Sequence, residues 1–252
     1  MSKPKNVLIT GATSGVGYAV AMRLLADTDR FKVYATGRAH DKIWQLQNDG
    51  AEALRTDFSV PGELDRLLEK IPSPDIVIVS AGVGLFESAH LISDESVQSM
   101  MNLNVIVPIE LTKRILPAMM KKHKGQLIYI GSQAGKVATP KASVYAASKH
   151  ALIGYTNALR MEVAGYGISV SVVHPGPIDT PFIDEADQTG NYRNSLGRHL
   201  LSVDTVANAV VRLIDKPARE VNLPGIMGIT SKLYALAPSI IEKLGKKYFM
   251  KK

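Results

Sequence analysis

Asn6-Val-Leu-Ile-Thr10-Gly11-Ala-Thr-Ser-Gly15-Val-Gly17 decides how the rest of the chain is read. Its first five residues are a short apolar run rich in strand formers. A turn with three glycines follows, and from Tyr18 to about Asp27 the pattern becomes an amphipathic helix. A glycine-rich turn between strand and helix lets backbone N–H groups and the helix dipole meet a pyrophosphate with no side chain in the way. The turn alone can also be a tight connection with no ligand. Strand, turn and helix in this order favour the phosphate site, with Gly11, Thr13, Ser14, Gly15, Val16 and Gly17 as its residues.

The runs 31–36, 51–56, 75–79, 126–130, 168–173 and 219–223 also read as strands, the last at an edge. Helical stretches separate them. The expected fold is α/β: a single-domain Rossmann-type doubly wound parallel sheet of about seven strands, with helices on both faces. A length of 252 residues and an apolar share of 46% suit one domain, residues 1–252, with a large core. There is no cysteine, which excludes a disulfide framework and a thiolate metal site and fits a reducing, cytoplasmic setting; no metal is expected. The N-terminus lacks the apolar stretch of a secretory signal, and no apolar run approaches a membrane span. The formal charge of +7 suits a polyanionic ligand such as a dinucleotide. Charge alone does not separate this from nucleic acid or an anionic membrane, but no nucleic-acid motif accompanies it.

Where a dinucleotide fold would hold an acid against the adenosine ribose, the second strand closes with Gly37-Arg38. Arg38 can instead fork onto a 2′-phosphate, with Thr13, Ser14, His40 and Lys42 as further donors, so NADP(H) is read in preference to NAD(H). Asp57, followed by Phe58, closes the third strand. Its carboxylate can accept from an adenine amino group or cap the helix through Lys70. After the fourth strand, Ser80-Ala81-Gly82 offers a small backbone to a cofactor.

Chemistry enters at Ser132 and thirteen residues on, at Tyr145 and Lys149. A spacing of four puts Tyr145 and Lys149 on one helical face, and an ammonium beside a phenol is expected to lower the phenol's pKa from about 10. Such a phenol serves as general acid for an alkoxide or base for an alcohol. Ser132, at a strand's carboxyl end, can bond the same substrate oxygen. A helix across about 93–120 holds Asn104 amid apolar residues with Pro108 one turn on. Asn104 either points inward from a kink or caps a broken helix.

His174-Pro175-Gly176-Pro177-Ile178-Asp179-Thr180 leaves the sheet as a stiff loop, and His174 is read as structural. Residues 181–201 are polar and poorly periodic and read as a substrate lid. Residues 229–252 read as a basic amphipathic tail, with Pro238 breaking or starting its helix. Such a face packs on its own domain, on a second subunit or on a membrane surface.

Together these residues resemble the short-chain dehydrogenase/reductase family over nearly the whole chain, from Asn6 to about Leu223. The resemblance implies an oxidoreductase that moves hydride between a nicotinamide and a carbonyl or secondary alcohol. It implies Tyr145 as general acid/base and Lys149 tuning it while holding the nicotinamide ribose. Ser132 would position the substrate oxygen, and Asn104 would anchor a water that relays protons. It also implies Asp57 on the adenine side, and Pro175, Gly176, Ile178 and Thr180 around the nicotinamide. Two departures stand out: Ser80 replaces the family's asparagine, and the Leu/Lys tail replaces the Asp-Gly-Gly-like ending of many tetramers. The expected partners are a small carbonyl or alcohol substrate and a second copy of the chain, a dimer before a tetramer. The competing readings are a lipid-related reductase held at a membrane by its tail and a nucleotide-bound regulator without turnover.

Overall fold

Apolar runs alternating with helix-period segments bury both faces of a sheet only if helices cover each side. A computed structural model describes residues 3–187, 190–197 and 200–249, the side chains of 246–249 excepted. The order is β1 (Lys5–Thr10), α1 (Gly15–Leu25), β2 (Phe31–Gly37), α2 (His40–Asn48), β3 (Glu52–Arg55), α3 (Glu63–Glu69) and β4 (Ile76–Val79). Then come α4 (Asp94–Met101), a π-helical turn (Asn102–Ile106), α5 (Val107–Lys122), β5 (Gly125–Ile130) and α6 (Ser143–Glu162). The chain continues through β6 (Ile168–Pro175), α7 (Pro181–Ala186), α8 (Asn191–Leu196), α9 (Val203–Asp215), β7 (Glu220–Leu223), α10 (Ile226–Leu236) and α11 (Pro238–Phe249).

The seven strands form one parallel sheet in the order β3-β2-β1-β4-β5-β6-β7, the doubly wound Rossmann arrangement, with β7 at an edge. Winding direction reverses between β1 and β4, where such sheets open a crevice beyond the strand ends. Register aligns those ends: Thr10 lies opposite Thr36 and Val79, and Val79 opposite Tyr129. Val7, Ile9, Ile78, Ile128 and Val173 bury one face against α1 and α9. Leu8, Val77, Val79, Leu127 and Val172 bury the other with Leu111 and Ile115 of α5 and Leu152 and Leu159 of α6. Each such side chain contributes roughly 1.5–3 kcal/mol on leaving water.

Three expectations are corrected. The helix over 93–120 is two helices joined by the π-helical turn, because the apolar pattern runs through an inserted residue that periodicity does not register. Asp57 does not cap α3, whose N-cap is Gly62; it accepts from the Ser59 amide at 3.0 Å and the Ser59 hydroxyl at 2.7 Å. Residues 181–201 are not an irregular loop where they are described. Pro181 presets the first turn of α7, and Arg193 of α8 bonds Asp184 and Asp179, each at 2.6 Å. Residues 188–189 and 198–199 of that segment lie outside the described residues. In the tail Pro238 starts a helix, one of the two readings above, and follows the helix that ends at Leu236; residues 250–252 lie outside the described part. No described helix is long and apolar enough to cross a membrane.

Candidate active site

The glycine turn is built by exclusion of side chains. Gly11 holds φ +66°, and a Cβ there would come 2.7 Å from the Ala81 backbone. A Cβ on Gly17 would press on the Gly11 carbonyl. β1 and β4 can therefore end in contact, and Thr10 Oγ1 accepts from the amides of Ser80 and Ala81 at 3.2 Å each. That bond braces the strand end in a chain with serine at position 80. At the start of α1, Ser14 is extended and makes no side-chain capping bond, and the first turn holds no acid. The first amides of α1 thus meet no capping side chain and keep their positive field toward the crevice.

A cavity of about 1000 Å³ runs from this turn along the strand ends. It brings together Gly11, Thr13, Ser14, Gly15, Val16, Arg38, Asp57, Phe58, Ala81 and Gly82 with Ser132, Tyr145, Lys149, Pro175, Gly176, Ile178 and Thr180. Gly17 and Asn104 are not on its wall: Gly17 supports the turn from behind, and Asn104 lies just beneath Gly82. Arg38 is exposed at one end. Lys42 turns away to Gln45 at 3.0 Å and lies over the Tyr18 ring. The Ser59 hydrogen bonds hold the Asp57 carboxyl below the usual range, helped by the charges of Arg38 and Arg55.

At the other end, Tyr145 and Lys149 of α6 face β5 and are only 7% and 6% exposed. Lys149 Nζ donates to the Ile130 carbonyl at 3.1 Å and stands 5.8 Å from the Tyr145 ring centroid. Burial pushes the Lys149 ammonium down to about 8. It pushes the Tyr145 phenol up to about 12, against the pull of a hydrogen bond with Ser132. The expected lowering of the phenol's pKa is therefore reversed among the chain's own groups. Desolvation outweighs an amine whose own charge is disfavoured. Ser132, at the end of β5, also accepts from the Ala134 amide at 3.1 Å, which fixes its direction.

Asn104 is the inward group of the π-helical turn, not a cap. Its Oδ1 accepts from the Val83 amide at 2.9 Å, and its Nδ2 donates to the Val83 carbonyl at 2.8 Å. Nδ2 also donates to Ser148 Oγ at 2.9 Å, and Ser148 in turn donates to the Tyr145 carbonyl at 2.8 Å. One amide thereby ties the loop after β4 to the helix carrying Tyr145. His174 is buried under the Gly131–Ser132 backbone, and burial pushes its pKa down to about 4.

The sequence marks 181–201 as a lid, but not the side chains that close the substrate end of the site. Phe86 meets the Tyr145 ring edge-on at 5.9 Å, Phe182 lies 5.6 Å from it, and Tyr192 packs on Phe86 at 5.1 Å. Met227, Thr230 and Tyr234 of α10 and Ile241 of α11 complete the wall. Helical phase within 226–236 would have grouped Met227, Thr230 and Tyr234; the aromatic cluster has no local signal.

A model of the short chain dehydrogenase family matches residues 5–191. The chain belongs to this family. An Escherichia coli (strain K12) oxidoreductase, YbbO, is 34% identical over 190 residues, covering 73% of this chain and 70% of its own. Ketoacyl reductase HetN of Nostoc sp. (strain PCC 7120) is 34% identical over 230 residues, covering 86% and 77%. A serine dehydrogenase solved with NADP+ superposes with a TM-score of 0.80 at 26% identity, over 86% of this chain and 93% of that one. This short chain dehydrogenase is an NAD(P)-dependent oxidoreductase of the CH–OH/C=O class. Its cavity fits a dinucleotide, with a glycine cradle that a Cβ would fill and a first helical turn turned toward the phosphates.

Proposed function

We propose that this dehydrogenase is an NADP(H)-dependent reductase of an apolar carbonyl compound, with Tyr145 as the proton donor. The carrying observation is that Tyr145, Ser132 and Lys149 line the same cavity as the glycine turn, with Ser132 acting on the Tyr145 phenol. The bound nicotinamide supplies the hydride; the chain's residues do the rest. Ser132 and Tyr145 hold the carbonyl oxygen, and Tyr145 delivers its proton as negative charge develops there. A phenol near 12 is fully protonated at neutral pH, which suits reduction. Lys149 holds the nicotinamide ribose and feeds protons to Tyr145. Asn104 positions the loop after β4 beside both and anchors the relay water.

NADP preference is supported by Gly37-Arg38 at the end of β2, which presents a guanidinium and no acid, and by the NADP+ bound in the similar serine dehydrogenase. An apolar substrate is supported by Phe86, Phe182, Tyr192, Met227 and Ile241 around Tyr145, and by the ketoacyl reductase named above. In this reading 181–201 is the lid, and α10 and α11 form the far wall of the substrate end.

Tyr145→Phe tests the reading. NADPH oxidation with a panel of long-chain ketones, 3-oxoacyl thioesters and steroids should fall by a factor of at least about 100, in the range of a lost general acid. NADPH binding, read by fluorescence, should stay within about threefold, because only a hydroxyl is removed. Undiminished turnover in Tyr145→Phe would remove Tyr145 from the mechanism. No turnover by wild type on any substrate, with NADPH still bound, would favour a regulator.

A further inference from the structure

We infer that the outer face of α10 and α11 docks this protein on an anionic membrane surface. In α10, Ile226, Ile229, Leu233 and Leu236 recur every three or four residues, so they form one stripe. The stripe faces away from the domain: these side chains are 52–82% exposed. Ile240 and Leu244 of α11, one turn apart, extend it at 62% and 81%. Scattered exposed apolar residues are ordinary, but six on two adjoining helices form a patch of the kind that marks an interface.

The opposite side of the same helices is committed to the enzyme. Met227, Thr230, Tyr234 and Ile241 line the cavity. Tyr234 Oη donates to Glu242 at 2.7 Å, which joins the two helices and occupies the only acid in residues 226–252. That segment holds six lysines. Lys232 and Lys243 are exposed next to Leu233 and Leu244 and make no ion pair among the described residues. The other four follow at 246, 247, 251 and 252, beyond the described side chains.

Apolar stripe and basic flank together select the occupant. A second copy would set these lysines against themselves, whereas an anionic bilayer supplies the counter-charge as it accepts the leucines. Docked this way, the helices that wall the cavity rest on lipid, and an apolar substrate reaches the site without crossing water. That benefit rests on the reading of the substrate above; the docking does not.

The test uses the full chain without nucleotide or substrate, sedimented with vesicles of phosphatidylcholine alone or mixed with phosphatidylglycerol. Wild type should pellet with the mixed vesicles, not the neutral ones, and be released by salt. Leu233→Ser/Leu236→Ser/Leu244→Ser should bind at least about tenfold more weakly. Lys232→Gln/Lys243→Gln should lose about fivefold per lysine. None of these residues lines the cavity, so NADPH titration reports whether the variants fold, and the salt dependence of wild type stands without them. Wild type left in the supernatant with anionic vesicles overturns the inference. So does unchanged binding by the leucine variant, or its conversion from dimer to monomer with vesicle binding intact. Because no turnover is measured, such a failure leaves the Tyr145 mechanism untouched.

Discussion

Replacing Lys149 with methionine should make the ligand-free protein more stable at neutral pH while destroying its activity. Lys149 is 6% exposed, and burial lowers the pKa of its ammonium from 10.5 to about 8. That gap corresponds to about 3 kcal/mol of disfavoured charge at about 1.4 kcal/mol per pH unit. Methionine fills similar space without charge but leaves the Ile130 carbonyl, 3.1 Å from Nζ, without its donor, which costs about 1 kcal/mol. The net gain at pH 7 is about 2 kcal/mol, or a Tm about 4–8 °C higher for a chain of this size. The sign with pH follows from proton counting. Below about 8 both folded and unfolded Lys149 are protonated, and the full penalty is present. Between about 8 and 10.5 the unfolded chain holds more protons, so the penalty on wild type is lifted as pH rises. Urea titrations of both proteins at pH 7 and pH 10, without nucleotide, should show the variant's advantage vanish. A variant less stable than wild type at pH 7, or a difference that does not change with pH, would refute a charge held against desolvation.

Arg38→Asp should lower the NADPH-to-NADH ratio of kcat/KM by about 100-fold, since a charge-assisted contact is lost and repulsion added; an unchanged ratio would detach Arg38 from cofactor choice. Its Tm should hold, because Arg38 is exposed. Gly11→Ala forces a Cβ at φ +66° to within 2.7 Å of Ala81 and should cost about 2–4 kcal/mol, with NADPH affinity down at least about tenfold in fluorescence titration. Asn104→Leu strands the Val83 amide and carbonyl and should lower the urea midpoint by the equivalent of about 3 kcal/mol, with m unchanged.

The strands were legible because a sheet covered on both faces needs unbroken apolar runs, and 75–79 or 126–130 admit little else. Gly11 and Gly17 were legible because the turn has no room for a Cβ. The π-helical turn was not, since one inserted residue shifts the phase without breaking the apolar pattern around Asn104. Nor were α7 and α8. They are short, and Arg193 holds them by reaching Asp179 and Asp184, contacts that exist only once the segment has folded back. The Phe86, Phe182 and Tyr192 cluster draws on separate segments and has no spacing to read. The Tyr145 phenol went the other way from the local argument because burial is tertiary: four residues place an amine beside it, but the fold decides how much water either group keeps.

That reversal bears on what the site does. Burial drives the two groups of α6 apart, phenol up to about 12 and ammonium down to about 8, and so keeps a proton on Tyr145 at neutral pH. In the proposed reduction Tyr145 must hold a proton to give. The structure therefore carries a cost in the buried Lys149 charge, held by one bond to the last residue of β5, that folding alone would not retain. Its partner in the proposed mechanism, Tyr145, would give up its proton as negative charge grows on an oxygen beside Ser132. The stability lost at Lys149 and the raised Tyr145 pKa are two results of one desolvated pocket, so in the proposed mechanism Lys149→Met should raise stability and lower turnover together.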